Sequence, residues 1–154
     1  MRTQKSPRSD CPVNYATEVL GDKWSLLIVR DIVYQGKRTH GEFLKSDEGI
    51  ARNILADRLT WLECQEIITR SADPKDKRRE IFTLTEKGLA LIPILLDLNM
   101  WSDEFAPTPI GGKSMLLATA LKKDRDAVIK RITSSVREGG YLFAIADWFP
   151  PQKV

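Results

Sequence analysis

The sequence has few of the residues on which catalytic and metal sites depend. Its 154 residues include two cysteines and one histidine. Two cysteines exclude a disulfide-rich scaffold, and His40 alone does not supply the three or four ligands of a zinc site. The sequence also lacks a Cys-x-x-Cys motif, a glycine-rich phosphate loop and a second histidine to activate a nucleophile. We therefore predict that the protein is not an enzyme and binds neither a metal nor a cofactor.

Long hydrophobic runs are also absent. No segment approaches the roughly 20 apolar residues that a membrane-spanning helix needs. The first ten residues, MRTQKSPRSD, are charged and polar and lack the apolar core of a secretory signal. We therefore expect a cytoplasmic protein without membrane contact, whose thiols are reduced.

The remaining composition is that of a folded protein. Hydrophobic residues make up 42% and charged residues 29%, and 24 Lys and Arg against 21 Asp and Glu leave a net charge of +3. This balance predicts a globular core but is too small to identify a nucleic-acid partner by itself. We predict four segments: a flexible basic arm at 1–10, a domain at 11–106, a Pro- and Gly-rich linker at 107–112 and a C-terminal helical extension at 113–154.

Helical spacing of apolar residues predicts most of the domain. Thr39 and Glu42 match a capping box, which indicates a short helix there. Two β-branched segments at 67–71 and 80–84 predict a hairpin whose connection, 72–79, is strongly charged. The predicted helices are a first one from Pro12 to Gly21, then Lys23–Tyr34, the short helix after Thr39, Ile50–Cys64, one from Thr85 to about Phe105 that Pro93 bends, and Ser114–Val136.

This order of elements predicts a winged helix-turn-helix, a mainly α fold with a small β-hairpin wing (α+β). The major groove of DNA, about 12 Å wide, admits one α-helix that is held from behind. The leucines of Ile50–Cys64 form one stripe, which leaves the opposite side free for DNA. Arg52 suits a guanine, Asn53 an adenine and Asp57 a cytosine amine. The predicted recognition positions are Arg52, Asn53, Ala56, Asp57 and Thr60.

Phosphate contacts are predicted at two further places, and together these surfaces predict double-stranded DNA as the partner. The hairpin tip carries cations that suit a phosphate backbone. The short helix begins at Thr39 and His40, where helix amides attract anions. The wing residues are Lys75, Lys77, Arg78 and Arg79.

Several motifs follow one another in a specific order, among them Gly21-Asp22-Lys23-Trp24, Thr39-His40-Gly41-Glu42-Phe43 and Leu84-Thr85-Glu86-Lys87-Gly88. In this order they resemble the HxlR-type bacterial transcriptional regulators. The chain departs from the pattern at Ala51, where a capping Ser is usual, and at Gln65-Glu66, where an Asp-Gly turn is usual. The resemblance implies a homodimer on a (pseudo)palindromic operator, with contacts from the first and last helices of the domain. The implied interface residues are Val13, Tyr15, Val19, Leu95, Leu98 and Trp101.

The two cysteines receive different interpretations. Cys11 precedes the first helix, where the helix dipole favours a thiolate, and some members of the family sense oxidants at this position. It is therefore a candidate redox sensor. Cys64 is predicted to be a small buried hydrophobe.

Two alternatives to a DNA-binding regulator of this kind remain open. A winged helix that binds a protein partner without DNA would use the same polar surface. A repressor that responds to a small molecule would hold its ligand between the domain and the extension.

Overall fold

A computed structural model describes residues 8–107 and 112–145. Most of the predicted arm (1–7), the centre of the predicted linker (108–111) and the end of the extension (146–154) lie outside these residues. Eight α-helices and one hairpin are described in this part of the chain. In chain order they are α1 (Pro12–Leu20), α2 (Ser25–Gln35), α3 (His40–Phe43), α4 (Arg52–Cys64), β1 (Ile68–Ala72), β2 (Glu80–Leu84), α5 (Glu86–Leu89), α6 (Ile92–Phe105), α7 (Gly112–Lys123) and α8 (Arg125–Arg137), followed by a 3-10 turn, Leu142–Ala144.

The predicted winged helix-turn-helix is confirmed. Helices α2, α3 and α4 follow one another, and β1 pairs antiparallel with β2 from Ile68↔Leu84 to Ala72↔Glu80. The segment before α3 also contacts the wing, because the Phe82 amide donates to the Arg38 carbonyl oxygen at 2.7 Å. The capping box is also present, since the Glu42 amide donates to the Thr39 hydroxyl and the Glu42 carboxylate accepts from the Thr39 amide.

Two predicted helices are each divided in the structure. The helix predicted from Thr85 ends at Leu89, and a new helix begins at Ile92. Pro93 lies in the first turn of α6, where a missing amide hydrogen costs little, so it starts a helix rather than bending one.

The single helix predicted at Ser114–Val136 is wrong. Asp124 has a φ of −158° and leaves the helical region, and its carboxylate accepts a hydrogen bond from the Ala127 amide at 3.0 Å. Asp124 is thus the N-cap of α8, a role that Asp takes readily.

One hydrophobic core runs through the domain and the described part of the extension. It includes Ile32 from α2, Leu55 from α4, Ile132 from α8 and Leu142 from the 3-10 turn. The extension therefore packs onto the back of α2. Within the described residues, no helix is both long enough and apolar enough to cross a membrane.

Candidate nucleic-acid interface

Helix α4 is held from behind by the predicted leucine stripe. Leu55, Leu59 and Leu62 are at most 2% exposed, because they are 4 and 3 residues apart and face the core together. All five predicted recognition positions are exposed on the rest of the helix: Arg52, Asn53, Ala56, Asp57 and Thr60.

Two further exposed side chains on α4 escaped the sequence analysis. The prediction that Cys64 is buried is wrong, because Cys64 is exposed. It follows Asn53, Asp57 and Thr60 at helical spacing, so the side of the helix that carries those residues also carries Cys64. Ile54 is 37% exposed and adds an apolar side chain beside Asn53.

Asp57 is paired with a guanidinium of the chain itself, that of Arg58. Its carboxylate accepts a hydrogen bond from Arg58, which is buried and also donates to Asp22 at 3.1 Å. Asp22 in turn accepts from the amides of Trp24 and Ser25, both at 2.9 Å, at the start of α2. Burial raises the pKa of Asp22, but hydrogen bonds from the Ser25 hydroxyl and these amides outweigh it and hold the pKa below its usual value. Asp57 thus has a partner before any cytosine approaches.

Most hydrogen-bonding groups at the start of α3 already have partners within the chain. Glu42 accepts from the amides of Arg38 at 2.8 Å and Thr39 at 2.9 Å. Burial raises the pKa of Glu42, whereas these hydrogen bonds lower it by more. Because the capping box occupies the Thr39 amide and hydroxyl, the half-exposed His40 side chain is the better placed of the two predicted phosphate contacts.

The wing tip presents its cations to solvent. The acidic residues between them have a structural role: Asp73 accepts from the Lys75 amide at 2.8 Å, and Asp76 from the Arg78 amide at 3.1 Å. These carboxylates therefore shape the turn. The exposed cations are Lys75, Lys77, Arg78 and Arg79.

Arg70, which the sequence analysis did not identify, joins the wing to α4. Its guanidinium donates to Glu63 at 2.6 Å and to Glu80 at 3.3 Å, and lies 5.5 Å from the centre of the Phe82 ring. The recognition helix and the hairpin are therefore connected directly by one side chain. Spacing along the sequence does not predict this contact, because Glu63 and Arg70 belong to different elements.

The predicted dimer residues divide into two groups. Val19 and Leu95 are buried in the chain's own core, whereas Val13, Tyr15, Leu98 and Trp101 are exposed. Ile94 and Phe105, which the sequence analysis missed, extend the exposed set on α6. The spacing of residues 94, 98, 101 and 105 is that of a coiled-coil seam. We call Ile94, Leu98, Trp101 and Phe105 the α6 seam.

Cys11 is exposed immediately before α1. Its carbonyl oxygen accepts from the Tyr15 amide at 3.1 Å, which fixes the backbone at the start of the helix. Within the described residues, no three His, Cys, Asp or Glu side chains are grouped as a metal site would require.

Comparison with known proteins agrees with this geometry. The model of the HxlR-like helix-turn-helix family matches residues 19–109. The HTH-type transcriptional regulator YodB of Bacillus subtilis (strain 168) is 34% identical over 96 residues, which are 62% of this chain and 85% of YodB.

Solved structures show the same similarity. PA1607 aligns with a TM-score of 0.62 at 36% identity, over 68% of this chain and 72% of its own. The redox regulator HypR in its oxidized form aligns with a TM-score of 0.57 at 27% identity, over 64% of this chain and 100% of its own. The chain therefore belongs to the HxlR-like helix-turn-helix family of DNA-binding transcriptional regulators.

Proposed function

We propose that this regulator is a cytoplasmic homodimer that binds a (pseudo)palindromic operator, with α4 in the major groove and the wing on the phosphate backbone. The observation that carries the proposal is the exposed side of α4 next to the exposed wing cations. Arg52 and Asn53 supply the base contacts, and the cations supply affinity without sequence information.

Selection of bound sequences from a random DNA pool tests this function. We expect a recurring site whose two halves are related by symmetry and lie about one or two helical turns apart. On that site, Arg52→Ala and Asn53→Ala should each cost about 1–3 kcal/mol and relax the preference at one base pair. Lys130→Ala, which removes an exposed cation of α8, is the control and should leave the preference unchanged.

The alternative of a protein-binding winged helix is decided by the same experiment. A DNA complex loses affinity steeply with added salt, by about one log unit per log unit of salt for each neutralised phosphate. Failure to enrich any sequence, together with a shallow salt dependence, would favour the protein-binding alternative.

The α6 seam supports the homodimer. Four large side chains in one line are exposed, and Trp101 is 62% exposed with its ring centre 5.8 Å from that of Phe105. A second copy of α6 is the occupant that this repeat fits, because a two-fold axis pairs a surface with itself. Sedimentation of Leu98→Glu should show a monomer, and Glu104→Gln on the same helix should remain dimeric.

A redox response through Cys11 is a further part of the proposal. It is supported by the exposure of Cys11 and by the similarity to HypR, which is described as a redox regulator. Operator affinity should fall on oxidation of the wild type and not of Cys11→Ser. Cys64→Ser is the matched control: if it removes the response instead, the sensor is Cys64.

A small-molecule signal is tested separately. A metabolite that binds between the domain and the extension should raise the unfolding temperature, by an amount that grows with the logarithm of its concentration divided by its dissociation constant. This response should be independent of Cys11.

A further inference from the structure

Arg38 lies where four elements meet. Its guanidinium donates to the carbonyl oxygens of Ile32 in α2, at 3.3 Å, and Gly140 in the extension, at 3.2 Å. Its amide donates to Glu42 of the α3 capping box at 2.8 Å, and its carbonyl oxygen accepts from Phe82 of the wing at 2.7 Å. The same residue thus touches the helix-turn-helix, the wing and the extension.

On the extension side, an aromatic ring reinforces this contact. Tyr141 follows Gly140 and packs on Gly36, so closely that a Cβ at Gly36 would lie 2.5 Å from the ring. Two residues further, Phe143 meets the Tyr34 ring edge-on at 5.6 Å between ring centres. The segment of the extension from Gly140 to Phe143 therefore covers the turn that leads from α2 into Arg38.

On the wing side, the hydrogen bond to the Arg38 carbonyl oxygen comes from Phe82, at the centre of β2. Phe82 is 2% exposed and its ring lies 6.2 Å from that of Phe43 in α3. The guanidinium of Arg70, which joins the wing to α4, lies over the Phe82 ring at 5.5 Å from its centre. A displacement of the Arg38 backbone would therefore shift β2, the strand that directly follows the wing cations.

The half-buried guanidinium is suited to a fixed bridge. Burial lowers the pKa of Arg38, although the nearby Glu42 carboxylate raises it in part. A guanidinium that gives up water needs its N–H groups satisfied, and here two backbone carbonyls from different elements accept them. Such a bridge holds only while the extension is in place.

We propose that Arg38 is a positioning residue through which the extension, at Gly140 and Tyr141, fixes the wing against the recognition helix. The extension thereby contributes to DNA binding without contacting the DNA itself. This role rests on the proposed DNA binding for its consequence, but its structural step can be measured without DNA.

Two variants test the bridge from its two ends. Arg38→Met removes the donors at similar length, and Tyr141→Ala loosens the extension without changing any charge. Both should speed hydrogen exchange of the Phe82 amide on the order of tenfold, and leave the Leu59 amide of α4 unchanged. Arg38→Lys, which retains a donor, should give an intermediate rate. Arg125→Gln breaks the ion pair of the extension with Asp97, 2.8 Å long and remote from Arg38, and is the control.

The second measurement is the salt dependence of operator binding. In Tyr141→Ala the wing should lose phosphate contacts, so the slope of log affinity against log salt should become shallower by about one and affinity should fall several-fold. Arg125→Gln should retain both values. An unchanged Phe82 exchange rate, an equal increase at Leu59 or an unchanged slope would overturn the inference. Failure of the wild type to bind any DNA would instead overturn the proposed function.

Discussion

The indole Nε1 of Trp61 donates a hydrogen bond to the carbonyl oxygen of Val19 at 2.9 Å. This bond joins the recognition helix to the last turn of α1, whose Val13 and Tyr15 are exposed. In the proposed dimer, the recognition helix α4 is thus hydrogen-bonded directly to a helix that lies at the subunit interface. The separation of the two recognition helices then depends on this attachment.

Replacement of Trp61 by Phe should show how much this hydrogen bond contributes to the free energy of unfolding. The ring still packs, but the Val19 carbonyl loses the indole donor, so the free energy of unfolding should fall by about 1 kcal/mol. Urea unfolding measures the loss. Binding to an operator with altered half-site spacing should improve relative to the selected operator, because the two helices are held less rigidly. Unchanged stability and unchanged spacing preference would contradict this role.

Neutralising the wing should weaken binding to all sequences alike. With Lys77, Arg78 and Arg79 replaced by Gln, each lost phosphate contact should make the salt slope shallower by about 0.9. The base preference should remain, because phosphates carry no sequence information. Binding titrations on selected and random DNA at several salt concentrations measure both quantities.

The matched control removes the same charge elsewhere. Lys122, Lys123 and Lys130 are exposed on α7 and α8, so their replacement by Gln lowers the net charge equally without touching the wing. An equal effect of both triple variants would mean that net charge alone governs affinity.

The helix-turn-helix was predictable because its signals are local. The Thr39–Glu42 capping box and the leucines of α4 each act within one element, so spacing alone is enough to place them. The wing followed from a change to β-branched residues around a charged turn. Helical spacing also predicts the exposed side of α4, and it places Cys64 on that side, contrary to the prediction of a buried Cys64.

Contacts between distant elements were not predictable. The ion pairs of Arg58 with Asp22 and of Arg70 with Glu63 depend on how separate elements pack against each other. Residue spacing within an element does not show that packing. Leu95 is buried and Ile94 is exposed because of how α6 is rotated about its own axis. That rotation is set by the packing of α6 against the core. The break at Asp124 shows a similar limit, since one capping residue outweighed continuous helical spacing on both sides.

Glu66 offers a stabilising substitution. It has a φ of +57°, the left-handed region, where side chains other than glycine cost about 1–2 kcal/mol. Glu66→Gly should relieve this cost, partly offset by greater freedom in the unfolded chain, and raise the free energy of unfolding by about 0.5–1 kcal/mol. Thermal or urea unfolding measures the change.

Gly49→Ala is the reciprocal control for Glu66. Gly49 also has a positive φ, +67°, and a Cβ there would meet nothing within 4 Å. The alanine should therefore destabilise by backbone strain alone, about 1 kcal/mol. If both substitutions changed stability in the same direction, the strain at Glu66 would not be the cause.

The ion pair of Glu48 with Arg30 should give stability a dependence on acid pH. The two-pronged hydrogen bond from Arg30 lowers the pKa of Glu48 from 4.5 to about 2. Because the folded pKa is the lower one, the contribution is complete above pH 4.5 and is lost as the pH falls towards 2. Glu48 is partly exposed, so solvent screening limits this contribution to about 1 kcal/mol or less.

Urea unfolding of wild type and Glu48→Gln between pH 7 and pH 2 tests this prediction. The difference in stability should be constant above about pH 5 and shrink between 4.5 and 2. On an Arg30→Met background the same Glu48 substitution should show a much smaller pH dependence, because the main partner that lowers the pKa is gone while a backbone hydrogen bond and the charge of Lys37 remain. A difference that persists undiminished at pH 2, or that is as large without Arg30, would show that Glu48 stabilises the turn before α4 by packing rather than by charge.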